Sequence, residues 1–358
     1  MRDQQSDPDG VKMFSFNVFS QLSGAVTAGM IHLGDSLGLY TALADADGPL
    51  SAAELADRTA LDQRWVLEWV SNQAAARLVS VEDDRFSLSP EAVQVLATPD
   101  SEAYGMGMFH RFPSTMAALE EMPESFRTGL GHDYDSHGAE GAVGIERSFE
   151  PWNRHHLIPT VLPALEGMVE RLETGVRVSD VGCGAGGAVL MMAERFPHSS
   201  FTGYDISRHA LDRAEARASE SGVGNAHFGD PRDEPLPSDH SVDLITTFDC
   251  IHDMTDPQGV IDAIREAISD DGTWLLVDIK GRDTLAENLE KNPMAALMYG
   301  ISVLSCMSSA LSAPNGAGLG TLGLPESKAR EMAEQAGFTR FRRLDIDHAI
   351  NAFYEVRP

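Results

Sequence analysis

The 358-residue sequence predicts an α/β fold, a mostly parallel sheet that binds a nucleotide-like ligand, preceded by a smaller and mostly helical domain. Three observations carry that reading. Residues 176–187 read Val-Arg-Val-Ser-Asp-Val-Gly-Cys-Gly-Ala-Gly-Gly and run into an apolar segment, 188–193. This is strand, glycine-rich turn and helix start, which aims backbone N–H groups and a helix dipole at a ligand. Two further strand-like runs, 200–205 and 226–230, each end in an acid. The chain closes with strand-like runs at 339–346 and 350–356, near enough in sequence to form a hairpin.

Composition narrows the class. A net charge of −28, with four lysines (Lys12, Lys280, Lys291, Lys328) among 27 basic residues, speaks against nucleic acid or an anionic membrane as partner. It reads as a solubility strategy. Three scattered cysteines make no disulfide framework, no run approaches a membrane span, and residues 1–10 are polar without an apolar signal region. A cytoplasmic protein is expected.

The N-terminal domain is read as 1–98. Residues 20–45 are helical and apolar. Ser51-Ala-Ala-Glu54 is a capping box opening a helix over 52–58, and Asp62 caps a second helix over 63–76. In the latter, Trp65, Trp69, Val66 and Val70 fall at i, i+4 spacing and predict one buried face. Segments 78–81 and 85–88 flank Glu82-Asp83-Asp84 as a hairpin. Helix, helix, hairpin is a winged-helix order. Between 51 and 90, however, seven acids outnumber four arginines and the hairpin tip is triply acidic. A DNA reader needs a basic stripe, so dimerisation is the expected role.

Residues 99–165 are read as a helical connector. Met106, Met108, Met116 and Met122, with Phe109, Phe112 and Phe126, fit either an adaptable apolar cavity or plain packing. The glycine-rich stretch 129–141 reads as a mobile lid. His132, Asp133, Asp135 and His137 lie in it without zinc spacing, so no metal is expected. Trp152, His155 and His156 fall on a helix entering the next domain and are candidate substrate contacts.

Residues 166–358 form the ligand-binding domain. Gly182, Gly184 and Gly187 satisfy the dinucleotide pattern G-x-G-x-x-G, a weak signal alone. Four features favour S-adenosylmethionine (SAM): Asp180 placed two residues before the first glycine, Asp205 for ribose hydroxyls, Asp230 for the adenine edge, and the terminal hairpin. Asp205 would serve a nicotinamide cofactor equally. Cys183, Gly186, Ile206, Phe248 and Asp249 complete the expected cofactor set.

The hairpin-closed sheet resembles the seven-stranded Rossmann-like (class I) SAM-dependent methyltransferase fold. With the N-terminal winged helix, the chain resembles plant and actinomycete small-molecule O-methyltransferases and related bacterial enzymes, which dimerise through that domain. The resemblance covers 20–95 and 150–358. It implies SAM as cofactor, a small-molecule acceptor and a homodimer. Ile251-His252-Asp253-Met254-Thr255-Asp256 resembles the Leu-His-Asp-Trp-Ser-Asp motif of the plant enzymes, whose histidine is the general base. Carried over, His252 takes the acceptor proton, with Asp249, Asp253 or Asp256 orienting its ring. Met254 departs from the motif's tryptophan, and no counterpart to the acids that brace the plant histidine is visible. The insertion 281–324, with Met298 and Tyr299, is expected to roof the acceptor site. The expected activity is methyl transfer to oxygen or sulfur. A SAM-binding transcriptional regulator and a non-methylating enzyme on the same fold are the alternatives.

Overall fold

The computed structural model describes residues 7–358; the start of the polar opening segment, residues 1–6, lies outside the described residues. The chain forms two compact units, one ending at Pro113 and the other spanning Ser114–Pro358. No helix among the described residues is long and apolar enough to cross a membrane.

The first unit opens with the helix Pro8–Ser36, capped by the Asp7 carboxylate on the Asp9 and Gly10 amides. Leu39–Ala44, Ala52–Thr59 and Gln63–Ala75 follow. Both halves of the Ser51/Glu54 capping box form, and Asp62 accepts from the Arg64 and Trp65 amides. The hairpin pairs β1 (Ser80–Glu82) with β2 (Arg85–Ser87). Asp83 and Asp84 both take positive φ, 49° and 58°, as a two-residue hairpin turn requires. Val66, Trp69 and Val70 are buried with Leu39, Tyr40, Leu55 and Met106. Trp65 is 80% exposed, so the predicted four-residue buried face loses its first member. Trp65 sits in the opening turn of its helix, where the adjacent Val66 is the residue that meets the core.

The second unit holds the sheet. Its strands are β3 (Arg177–Val181), β4 (Ser200–Tyr204), β5 (Ala226–Gly229), β6 (Val242–Phe248), β7 (Ile268–Ile279), β8 (Arg340–Arg343) and β9 (Asn351–Arg357). Their order is β5-β4-β3-β6-β7-β9-β8. β3 to β7 run parallel, and β9 is antiparallel to both neighbours. The predicted terminal hairpin is therefore present, although its connector spans 344–350 and is longer than expected. β7 begins at Ile268, ahead of the expected Thr273, because Ile268 pairs with Val242 across a register shift. Trp274, Leu275, Leu276 and Val277 of β7 are buried, as in a sheet covered on both faces.

From β3 the chain winds outward to β5, then returns to place β6 on the other side of β3. That reversal opens a crevice at the carboxyl ends of β3 and β6, where ligands bind in open α/β sheets.

Candidate active site

The loop after β3 is built by its glycines. Gly182, Gly184 and Gly186 have φ of 76°, 54° and 75°, a region that L side chains enter only with strain. The Gly182 and Cys183 amides donate to the Tyr204 carbonyl at 2.8 and 3.0 Å, tying the loop to β4. A Cβ at Gly182 would lie 2.6 Å from the Cys250 Cβ, while one at Gly184 meets nothing within 4 Å. Gly184 thus leaves open space where a ligand can approach the backbone. Gly186 does not line the crevice. Its Cβ would strike Phe228 at 2.6 Å, so its task is close packing of the helix Gly187–Arg195 on the sheet.

Asp205 stands at the end of β4. Its carboxylate accepts from the Gly184 amide and the Ser207 amide, both at 2.8 Å. Burial raises its pKa above the usual carboxylate value, against the pull of these amides. Asp180 is buried and accepts from Thr246 Oγ1 at 2.6 Å; burial pushes it up to about 7. Both acids line one cavity of about 680 Å³, together with Gly182, Gly184, Ile206 and Phe248. No lysine, arginine or histidine lines it among the described residues.

The helix Gly138–His156 covers part of this cavity with Ile145, Glu146, Phe149, Glu150 and Asn153. Glu146 pairs with Arg213 and Glu150 with Arg217 at 2.8 Å, both arginines lying on the helix Arg208–Ser221. The preceding stretch, expected as a mobile lid, contacts both the insertion and the turn after β4. The His132 amide donates to Ser308 Oγ at 2.9 Å, and Ser207 Oγ donates to Asp135 at 2.8 Å. A Cβ at Gly131 would fall 2.0 Å from the Ser308 carbonyl oxygen, so a glycine is required at that close approach.

Several expected site residues lie elsewhere. Asp230 is held by Arg232 at 2.5 Å and does not line the cavity. Trp152 stacks on His156 with ring centroids 4.5 Å apart and meets His348 and Phe353, an aromatic cluster outside the cavity lining. His155, Met298 and Tyr299 do not line it either; Tyr299 is an exposed residue whose hydroxyl accepts from Asn288. From the insertion, Ser309 and Ser312 reach the cavity instead. None of the methionines expected for an apolar connector cavity lines it; Met106 is core of the first unit.

Beyond β6, Asp249, Cys250, Asp253, Met254, Thr255 and Asp256 line the same cavity. Asp249 adopts φ of 50° and accepts from Asn351 Nδ2. Asp256 caps the helix Pro257–Ala267, accepting from the Gly259 amide at 3.0 Å. The residue that orients His252 is none of the three acids proposed from sequence. It is Asp278 on β7, whose Oδ1 meets His252 Nδ1 at 2.7 Å, with both side chains 2% exposed. Its position at a parallel strand's carboxyl end was the available signal, but its partner lies 26 residues away. Burial works against charge on His252, yet the Asp278 carboxylate and the Cys306 sulfur outweigh it and hold its pKa well above the ordinary histidine value. Burial pushes Asp249 and Asp253 up to about 7. The donor atoms of His252, Asp253 and Cys306 lie within 4.8 Å of one another.

Residues 172–317 match the family described as "Methyltransferase domain". This chain carries a methyltransferase domain. Within it, 103 residues are 32% identical to the uncharacterized methyltransferase YcgJ of Bacillus subtilis, covering 28% of this chain and 40% of that protein. A further 72 are 35% identical to trans-aconitate 2-methyltransferase of Streptomyces coelicolor, covering 20% of this chain and 24% of that one. The chain thus spans at most two fifths of the length of these relatives. Similarity of fold is broader. Human N-acetylserotonin methyltransferase in complex with SAM superposes with a TM-score of 0.65 at 16% identity, over 100% of this chain and 99% of that one. The mitomycin 7-O-methyltransferase MmcR does so with 0.68 at 17%, over 98% and 99%. The fold around the methyltransferase domain is therefore that of the class I SAM-dependent methyltransferases, as the hairpin-closed sheet indicated.

Proposed function

We propose that the chain is a SAM-dependent methyltransferase acting on oxygen or sulfur of a small molecule. The observation that carries this is the single cavity running from the glycine loop and Asp205 to Asp249 and Asp253. Its size suits a nucleoside cofactor with a small acceptor beside it. The residues fit SAM on three counts. Gly184 leaves its loop open, Asp205 presents a carboxylate to a diol, and a lining with acids and no basic side chain favours a sulfonium cation. When bound, SAM supplies an electrophilic methyl group on that sulfonium.

The chain's own residues then position and deprotonate. The 182–187 loop and Asp205 fix the cofactor. Phe149, Asn153, Ser309 and Ser312 face the remaining volume and exclude water from the nucleophile's approach. An alcohol, phenol or thiol must lose its proton, and Asp253 in the cavity wall, with His252 and Asp278 of β7 buried behind it, is the proton-handling group. The resemblance of residues 251–256 to the plant motif supports a role for His252 there.

Homodimerisation belongs to the same reading. Met13, Phe14, Phe16, Phe19 and Leu22 of the helix Pro8–Ser36 are exposed, an apolar stretch that a second copy would cover. Calorimetric titration with SAM and, separately, with NAD tests the cofactor assignment. The reading expects binding of SAM and none of NAD; the reverse would overturn it. The acidic hairpin tip weighs against the regulator alternative, which requires binding to DNA.

A further inference from the structure

The residue expected to accept the proton is buried behind the cavity wall. His252 is 2% exposed and does not line the cavity, and its Nδ1 is engaged by Asp278. Asp253, next in sequence, does line the cavity, on the same stretch of wall as Asp249 and Met254. Its carboxylate also lies within 4.8 Å of the His252 and Cys306 donor atoms. It forms no ion pair with any lysine or arginine, and none lines the cavity around it, among the described residues.

We propose that Asp253 is the catalytic base that takes the acceptor's proton, and that His252, held between Asp278 and Cys306, is a positioning residue behind it. This rests on the methyltransferase reading. In the step, the acceptor O–H or S–H bond breaks, its proton passes to an Asp253 oxygen, and the freed electron pair forms the bond to the methyl carbon. The C–S bond of the cofactor breaks toward sulfur, leaving neutral S-adenosylhomocysteine, and the proton on Asp253 returns to solvent. The chemistry suits the group. Burial raises Asp253 to about 7, near the value at which a general base is both available and strong. The groups facing it make the balance explicit. His252 lowers its pKa, while Asp278 on β7 and Asp205 at the end of β4 raise it. Asp249 and Asp256 border the same stretch of cavity wall, and Cys306 stands behind.

The test compares wild type, D253N and H252Q, each first shown by calorimetry to bind SAM. Infrared difference spectra of the S-adenosylhomocysteine complexes, wild type minus D253N, should show a protonated carboxyl signal that fades as pH rises through about 7. In H252Q the same signal should persist to higher pH, because a cation that lowers the Asp253 pKa has gone. With an acceptor turned over by the wild type, D253N should lose roughly 10²–10⁴-fold in kcat and lose the rising pH limb. H252Q should keep that limb, displaced to higher pH, and D253E should recover part of the rate. A carboxyl signal absent in the neutral range, or a limb that survives in D253N and vanishes in H252Q, would overturn the assignment. Failure to bind SAM would instead sink the methyltransferase reading itself.

Discussion

Replacing Asp205 with asparagine isolates what its charge contributes. The substitution keeps the side chain's volume but turns one of two acceptor oxygens into a donor. In the native protein those oxygens accept from the Gly184 and Ser207 amides at 2.8 Å each. One of the two N–H groups would then face an N–H. A hydrogen bond to a charged group contributes about 1.5–3 kcal/mol, so the folded protein should lose stability of that order. A ribose diol donating to the same carboxylate loses at least one such bond as well. Loss of about 1.5–3 kcal/mol there corresponds to SAM binding weaker by roughly 10- to 150-fold. Isothermal titration calorimetry at fixed salt measures it. Asp230→Asn is the control, because Asp230 is occupied by Arg232 and is not part of the cavity wall; its effect on affinity should stay below about threefold, under 1 kcal/mol. If Asp205→Asn binds SAM like the wild type, or Asp230→Asn is the weaker binder, the assignment of Asp205 to the cofactor is wrong.

Gly186→Ala should destabilise without changing which groups line the cavity. Left-handed strain of about 1–2 kcal/mol adds to overpacking of about 1–3 kcal/mol, from a Cβ 2.6 Å from Phe228 and 3.1 Å from Ala214; urea unfolding measures the sum. Phe14→Glu with Phe16→Glu should convert a dimer to a monomer by light scattering, since both rings are exposed on one apolar helix; an unchanged mass would move the interface elsewhere. Stability should fall as pH rises from 6.5 to 8. Asp180, Asp249 and Asp253 are held at about 7 by burial, so the folded state keeps protons that the unfolded state, with ordinary carboxyl values near 3.9, has already released. His252, held high, adds to the same slope as it loses its proton. His348, pushed down to about 4 by burial, is neutral in the folded state, while the unfolded imidazole, near 6.5, still sheds its proton at the lower end of this window; it opposes the slope there, and the three carboxyls and His252 outnumber it. Thermal melts across that range check the direction, and Asp180→Asn should flatten the slope.

The glycine-loop end of the cavity was legible in the sequence because its determinants are local. Strand, glycine turn and helix are contiguous, so Asp180, Gly182, Gly184 and Ile206 could be placed on the cavity wall from spacing alone. The acceptor side depends on residues far apart in the chain. Asp278 meets His252 from the neighbouring strand, and Ser309 meets the cavity from the insertion, neither announced by a local pattern. Asp230, expected at the adenine edge, is paired with Arg232 and lies outside the cavity lining. An acid at a strand end reads as a ligand contact until the nearby Arg232 is seen to occupy it. Trp152 and His156, expected as substrate contacts, pack with His348 and Phe353 from the terminal hairpin and its connector, partners that no local pattern announces. In the first unit the capping residues were readable because caps are sequence-local, whereas the exposure of Trp65 depends on where neighbouring elements end.

The most direct measurement of the central claim is release of S-adenosylhomocysteine from SAM against a panel of thiols, phenols, carboxylates and amines, with the full chain. The account predicts turnover with a thiol, a phenol or a carboxylate, abolished with the acceptor omitted. Stoichiometric SAM binding with no S-adenosylhomocysteine formed from any of these oxygen and sulfur acceptors would contradict it.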